Sequence, residues 1–181
     1  MTVAAVATAY RTTIVTPIAE MVAVADEEHL LLLEFSYRRR IDDQLARMQR
    51  VVGCSIEPGD SPVLARARRE LDEYFLGKRT EFTVPLRAPG TPFQTRVWRA
   101  LQRIPYGTTT SYARVAKEIG QPSAVRAVAR ANGDNRIAII IPCHRVIGSD
   151  GSLTGYGGGL WRKKKLLELE ARAQELSLPG F

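Results

Sequence analysis

Val84-Pro85-Leu86-Arg87-Ala88-Pro89-Gly90-Thr91-Pro92 is the stretch on which the fold turns. Its prolines remove backbone donors and bar both a helix interior and a central strand. Residues 85–92 therefore read as a linker between an N-terminal domain over 1–84 and a C-terminal domain over 93–181. Charge changes sign across the same stretch. Residues 1–90 carry 12 basic and 13 acidic side chains, a net −1, whereas residues 91–181 carry 14 and 6, a net +8. A polyanion such as nucleic acid is expected on the second half, with a merely solubilising basic surface as the plain alternative.

Before the linker, residues 10–17, 21–25 and 30–35 read as strands, with Asp26-Glu27-Glu28-His29 as the polar turn of a hairpin. Residues 38–52 fit a helix with Ile41, Leu45 and Met48 along one face. A sharper helix is predicted over 62–76, with Ser61 as N-cap, Pro62 at the first position and Gly77 as the stop. Its apolar stripe is Leu64, Ala67, Leu71 and Tyr74 or Phe75.

After the linker the pattern is mainly helical. Phe93, Val97, Leu101 and Ile104 recur at helical spacing. Residues 111–119 and 123–131 make two short helices joined by the turn Gly120-Gln121-Pro122, a helix-turn-helix pattern. Residues 137–141 are β-branched and read as a short strand ended by Pro142, and residues 160–176 as a last helix. On the second short helix Ala124, Ala127 and Ala131 leave one face nearly bare beside Arg126 and Arg130. A bare face admits a close backbone approach to a groove, and the guanidiniums suit phosphates or bases. Packing of these alanines against a neighbouring helix is the competing reading.

Ile139-Ile140-Ile141-Pro142-Cys143-His144-Arg145-Val146 carries the chemistry. On a strand, adjacent side chains point to opposite faces, but Pro142 ends the ladder and lets the chain turn. An ionised cysteine is a strong nucleophile, and ionisation near neutral pH needs a base or a positive surrounding. His144 is the candidate base, directly or through one water. Glu170 is the candidate orienting carboxylate, because it shares a helical face with Lys163, Leu166 and Leu167 and so points to the core, where it needs a partner. A buried structural cysteine beside a surface histidine remains the competing reading of an isolated pair.

Pro142-Cys143-His144-Arg145-Val146, followed by Gly155-Tyr156-Gly157-Gly158-Gly159-Leu160, resembles the O6-alkylguanine-DNA alkyltransferase family. The resemblance continues through Phe93-Gln94-Thr95-Arg96-Val97-Trp98, Pro105-Tyr106-Gly107-Thr108, Ser111-Tyr112 and Arg126-Ala127-Val128, and covers residues 91–170, with the first half matched more loosely. It implies an α+β fold. A small N-terminal α/β domain with a ribonuclease H-like sheet would precede a mainly helical, winged helix-turn-helix-like C-terminal domain. The implied function is DNA repair by single-turnover, stoichiometric transfer of a methyl or alkyl group from O6-alkylguanine to Cys143, with self-inactivation. O4-alkylthymine is left as a second candidate substrate.

The resemblance also assigns roles. His144 would act on Cys143 through a water, with Glu170 orienting it. Asn135, eight residues before the cysteine, would be the hinge asparagine, with Asn132 as a nearby rival. Tyr112 would crowd the neighbouring phosphate and donate a proton to the departing purine. Arg126 would fill the gap left by the extruded nucleotide, and Ala127, Ala129 and Arg130 would meet DNA beside it. Tyr156 would contact the extruded base and Lys163 would support the polar side of the pocket. The carbonyls of Cys143 and Val146 would accept from the guanine amino group, and the Gly157 N–H would face O6. Extrusion is required because a thiolate cannot reach O6 inside a stacked duplex. The helix pair would read the minor groove, whose degenerate code implies weak sequence preference. Ala138 stands where some members have proline, which leaves the tolerated alkyl size open.

No cofactor is expected. Some family members bind zinc in the first half, but here that half offers only Cys54 and His29 as soft ligands, so no metal is expected. Two cysteines, no run near the ~20 apolar residues of a membrane span and no basic-then-apolar N-terminus suggest a reducing, cytoplasmic protein with no membrane partner and no obligate protein partner. A cysteine hydrolase using the same triad and a non-reacting DNA lesion sensor are the rival classes. Stoichiometry separates them: one event per molecule for transfer, many for hydrolysis, none for sensing.

Overall fold

The computed structural model describes residues 7–37 and 41–177. β1 (Ala7–Thr16), β2 (Ala19–Ala25) and β3 (Leu30–Phe35) form an antiparallel meander, and β4 (Cys54–Pro58) adds to β1 in parallel, giving the order β3-β2-β1-β4. The hairpin turn closes as expected: the Asp26 carboxylate accepts from the N–H of Glu28 and His29 at 2.9 and 2.7 Å. All six β3 residues are buried, since the sheet is covered on both faces. One face, with Val22, Val24, Leu31 and Leu32, lies under α1 (Ile41–Val52) and its Leu45 and Met48. The other face, with Met21, Ala23, Leu33 and Phe35, joins the main core shared with α2 and the C-terminal helices.

α2 (Pro62–Phe75) begins and ends where its sequence says it should. Ser61 Oγ accepts from the Leu64 N–H, and Gly77, at φ 69°, lets the Lys78 N–H reach the Glu73 carbonyl at 2.9 Å. The proline-rich segment then runs along the β3 edge: Leu30 N–H donates to Pro85 O and Arg87 N–H to Leu30 O. Farther along that edge, Leu33 donates to Arg136 O and accepts from Ala138 N–H. A strand edge that would otherwise invite aggregation is thereby covered, and the covering chain leads directly to Cys143.

α3 (Pro92–Gln102) starts at Pro92 itself, with Thr91 and Gln94 forming a capping box. α4 (Tyr112–Glu118) and α5 (Val125–Gly133) are the short helix pair, and β5 (Thr110–Ser111) pairs in parallel with β6 (Val146–Ile147). α6 (Leu160–Ser177) closes the described chain. Part of the helix read over 38–52 lies outside the described residues, which resume at Ile41.

The strand expected over 137–141 does not form. Only Ile137 bridges to Leu33, after which the chain turns, with Ile140 N–H on Ala138 O and Ile141 N–H on Ile137 O. Ile139 sits at φ 70°, a left-handed conformation that disfavours a β-branched residue. The turn persists because the Asn135 amide spans it, accepting from Ile137 N–H at 3.0 Å and donating to Ile141 O at 2.8 Å. Among the described residues, no helix is long and apolar enough to cross a membrane.

Candidate active site

α6 presents Lys163, Leu166 and Glu170 on its buried face, at the i, i+3 and i+7 positions. Glu170 has no exposed surface and accepts from four directions. His144 Nε2 and the Tyr74 hydroxyl reach Oε1, each at 2.7 Å, and the Gly107 N–H reaches Oε2 at 3.1 Å. The Arg145 guanidinium spans both oxygens at 2.9 and 3.0 Å. Burial alone would raise the Glu170 pKa, but the His144 and Arg145 contacts outweigh it and hold the carboxyl at about 2.

Cys143–Arg145 is one turn of 3₁₀ helix, so Cys143 and His144 are not forced onto opposite faces as on a strand. Complete burial depresses the His144 pKa more than Glu170 raises it, so the resting imidazole is neutral. With Nε2 against a carboxylate, the proton belongs on Nε2, which leaves Nδ1 as an acceptor. Nδ1 is buried and has no hydrogen-bond partner among the described residues. The Asn135 amide that spans the preceding turn also donates to Cys143 Sγ at 3.1 Å. Asn132 Nδ2 donates to the Cys143 carbonyl at 3.3 Å. The two asparagines weighed against each other in the sequence thus both hold the cysteine, Asn135 by its sulfur and Asn132 by its backbone.

Cys143 opens on a small pocket walled by Asn132, Ala138, Tyr156, Gly157 and, from the N-terminal sheet, Phe35. Phe35 and Tyr156 meet edge to face with ring centroids 6.0 Å apart. Gly158 has to be glycine here, because a Cβ would overlap the Phe35 ring. The buried Lys163 ammonium donates to the carbonyls of Val146 and Thr154, both at 2.6 Å. Desolvation lowers its pKa to about 8, partly countered by the charge of Cys143, so it stays cationic at neutral pH and favours a thiolate nearby. The Tyr112 hydroxyl donates to Thr154 O at 3.3 Å, and burial raises its pKa, which keeps its proton in place. Gly157 is exposed at the pocket mouth.

On α5 the alanine stripe divides. Ala131 is buried with Val128 and Asn132, whereas Ala127 is exposed between the exposed Arg126 and Arg130. The packing reading thus holds for Ala131 and the open-face reading for Ala127, because the helix turns Val128 and Ala131 into the core. Ala129 is half-buried at the margin. The sequence reading missed Tyr74, Arg145 and Gly107 as partners of Glu170, and Phe35 as a pocket wall. A tyrosine within an apolar helix stripe was the one available signal, since a buried phenol needs a partner. Among the described residues, no cluster of His, Cys, Asp and Glu has the makings of a metal site.

Two domain families match the chain. The DNA binding domain of 6-O-methylguanine DNA methyltransferase matches residues 92–172, and its ribonuclease-like domain matches residues 9–88. The constitutive methylated-DNA–protein-cysteine methyltransferase of Bacillus subtilis is 42% identical over 158 residues, covering 87% of this chain and 92% of that protein. The methyltransferase of the same designation from Mycobacterium tuberculosis is 59% identical over 122 residues, covering 67% and 74%. Among solved structures, M. tuberculosis O6-methylguanine methyltransferase superposes with a TM-score of 0.79 at 44% identity, covering 91% of this chain and 94% of that one. The M. tuberculosis protein in complex with DNA gives 0.77 at 43% identity, covering 92% and 94%.

Proposed function

The chain belongs to the 6-O-methylguanine DNA methyltransferase family, and from that premise we propose that Cys143 is the residue that receives the alkyl group. The activity is methylated-DNA–protein-cysteine methyl transfer, a repair reaction on double-stranded DNA. The observation that carries the residue assignment is the fully buried His144. Its Nε2 is fixed on Glu170, its Nδ1 is left as an acceptor, and it is adjacent in the chain to a pocket-lining cysteine.

In this reading His144 Nδ1 takes the Cys143 proton through one water, and Glu170 with its partners stabilises the imidazolium. Lys163 and the Asn135 amide favour the thiolate. Sγ attacks the alkyl carbon in line, forming the S–C bond as the C–O6 bond breaks and its electron pair passes to the purine. Tyr112 gives the purine a proton and is reprotonated from the imidazolium side, so the net exchange is one thiol proton for one alkyl group. The thioether product has no leaving group to be displaced, which makes each molecule spend itself once.

The exposed Arg126, Ala127 and Arg130, with Ala129 beside them, suit the minor groove, where Arg126 would occupy the space of the extruded nucleotide. Tyr156, Gly157 and Val146 line or flank the base site. Residues 85–92 are proposed as the boundary between the sheet-bearing half and the reacting half. A nucleophile that must remain a thiol, with neither Cys54 nor Cys143 in a disulfide, favours a reducing, cytoplasmic compartment.

Incubation with duplex DNA methyl-labelled at O6 of guanine tests the assignment. One label per molecule on the peptide containing Cys143 is expected, with none on the Cys143→Ala variant, which still binds DNA because phosphate contacts supply most of the affinity. Label on Cys54, or many turnovers per molecule, would overturn it.

A further inference from the structure

Gly155-Tyr156-Gly157-Gly158-Gly159 places Tyr156 and Gly157, which line the Cys143 pocket, on a segment of four glycines and one tyrosine. Glycine gives a chain its largest backbone freedom, and here Gly155 and Gly159 take φ of 44° and 84°. The segment's own propensities therefore do not select the conformation that closes the pocket. Side chains outside it have to.

The two ends of the segment are held by different halves of the molecule. Just before it, the Thr154 carbonyl accepts from Lys163 and Tyr112, both of the C-terminal half. Towards its far end, the Gly158 carbonyl accepts from the Tyr37 hydroxyl at 2.7 Å and from Arg162 Nη1 at 3.2 Å, one donor for each lone pair. Tyr37 follows β3 in the N-terminal half, and Arg162 stands in the first turn of α6. The guanidinium is itself fixed. Its Nε donates to the Ile18 carbonyl, in the turn between β1 and β2, at 2.9 Å. Its Cζ lies 4.1 Å from the centre of the Tyr37 ring and 4.2 Å from that of Trp161. A planar guanidinium can stack on rings and donate within its plane at once, which an ammonium does not reproduce. Neither Tyr37 nor Arg162 lines the pocket, so whatever they do for the reaction passes through the segment they hold.

We infer that Tyr37 and Arg162 are positioning residues for alkyl transfer. They latch the glycine segment to the N-terminal sheet and so keep Tyr156 and Gly157 over the Cys143 pocket. The N-terminal half thereby acts on the reaction without meeting the lesion. This rests on Cys143 being the alkyl acceptor.

Tyr37→Phe, Arg162→Met and Arg162→Lys test it, with Glu70→Gln as a variant destabilised elsewhere. Single-turnover transfer at saturating duplex, duplex affinity and amide hydrogen exchange are measured in each. Arg162→Met should slow transfer at saturation about tenfold, because a small misplacement of a pocket group is enough for such a loss. Tyr37→Phe keeps the ring against Arg162 and should slow it about threefold. Arg162→Lys should recover part of what Arg162→Met loses. The Kd for duplex should stay within about twofold, since phosphate contacts supply most of the affinity. Transfer from free O6-methylguanine base should fall by the same factor as transfer from duplex. Exchange of the amides of residues 157–159 should quicken in Arg162→Met and Tyr37→Phe, and Glu70→Gln should leave both that exchange and the rate per folded molecule alone. An unchanged saturating rate in folded Arg162→Met and Tyr37→Phe would reduce the pair to a structural role and overturn the inference. A loss confined to duplex would overturn it too, by making the pair a DNA contact. If Arg162→Met does not fold, Tyr37→Phe and Arg162→Lys carry the comparison. Absence of any label on Cys143 of the unmodified protein would instead overturn the acceptor assignment, so the two failures are distinct.

Discussion

Glu70 in the N-terminal half and Glu170 in the C-terminal half are both buried, at 1% and 0% exposure, and both have depressed pKa values. Their wiring differs. Glu70 accepts from Arg66, Thr83 and Val84, all near it in sequence, and closes the loop that follows α2. Glu170 accepts from Tyr74, Gly107, His144 and Arg145, at sequence separations of 96, 63, 26 and 25 residues. Among its partners is a ring whose second nitrogen has no hydrogen-bond partner among the described residues and whose chain neighbour is the cysteine. A buried, strongly acidic carboxylate is therefore no mark of catalysis by itself; the identity of what it orients is.

Glu170→Gln should give the largest separation between the two. The imidazolium loses its counter-charge, so transfer should fall on the order of 100-fold in single-turnover assays. Arg145 is left as an uncompensated buried charge, which should cost about 3–5 kcal/mol in urea unfolding. A normal rate in a folded variant would remove Glu170 from the relay.

Acid should expose the same carboxylate through stability. Its folded pKa is depressed, so its contribution is present above the ordinary value of 4.5 and is lost as pH falls from there towards about 2. A shift of that size corresponds to about 3 kcal/mol. Unfolding measured across this window should lose that amount, and Glu170→Gln should flatten the profile. An equal slope in the variant would assign the acid lability elsewhere.

Glu70→Gln is the smaller contrast. Loss of the Arg66 and Thr83 interactions should destabilise by about 1–3 kcal/mol, while transfer per folded molecule stays unchanged. If it slowed transfer as much as Glu170→Gln, the distinction between local and long-range wiring would fail.

What was legible in the sequence follows the same division. The caps of α2, at Ser61, Pro62 and Gly77, are local chemistry and read correctly, as does the Asp26 turn, and the Pro-Cys-His-Arg segment is legible as a family signature because it lies in four adjacent residues. β4 was missed because Cys54–Pro58 has a single fully buried residue and pairs with β1 from 47 residues away, which no local pattern announces. Residues 137–141 look like a strand by β-branching, but a strand needs a partner beyond Ile137, and the Asn135 amide claims the carbonyls first. Asn132 reads only as a rival for the hinge, since the carbonyl it holds and the pocket it faces exist only once the chain has turned.

Tyr74 was likewise hidden inside an apolar stripe, and it gives the finest test. Its hydroxyl donates to Oε1, the same oxygen that holds His144 Nε2, so it competes with the imidazole for one acceptor. Tyr74→Phe removes that donor and keeps the ring among Phe75, Phe82 and Tyr106. Oε1 then becomes more basic, binds the imidazolium more tightly and raises the pKa of His144. Because the relay needs His144 neutral to accept the Cys143 proton, the acid-limb midpoint of the pH–rate profile should move up by about half a unit, alongside a stability loss of about 1 kcal/mol. A stability loss with an unmoved midpoint would class the Tyr74 bond with those of Glu70, which hold the fold and leave the chemistry alone. An upward shift would mean that a residue of the N-terminal half tunes the relay that activates the nucleophile of the other half.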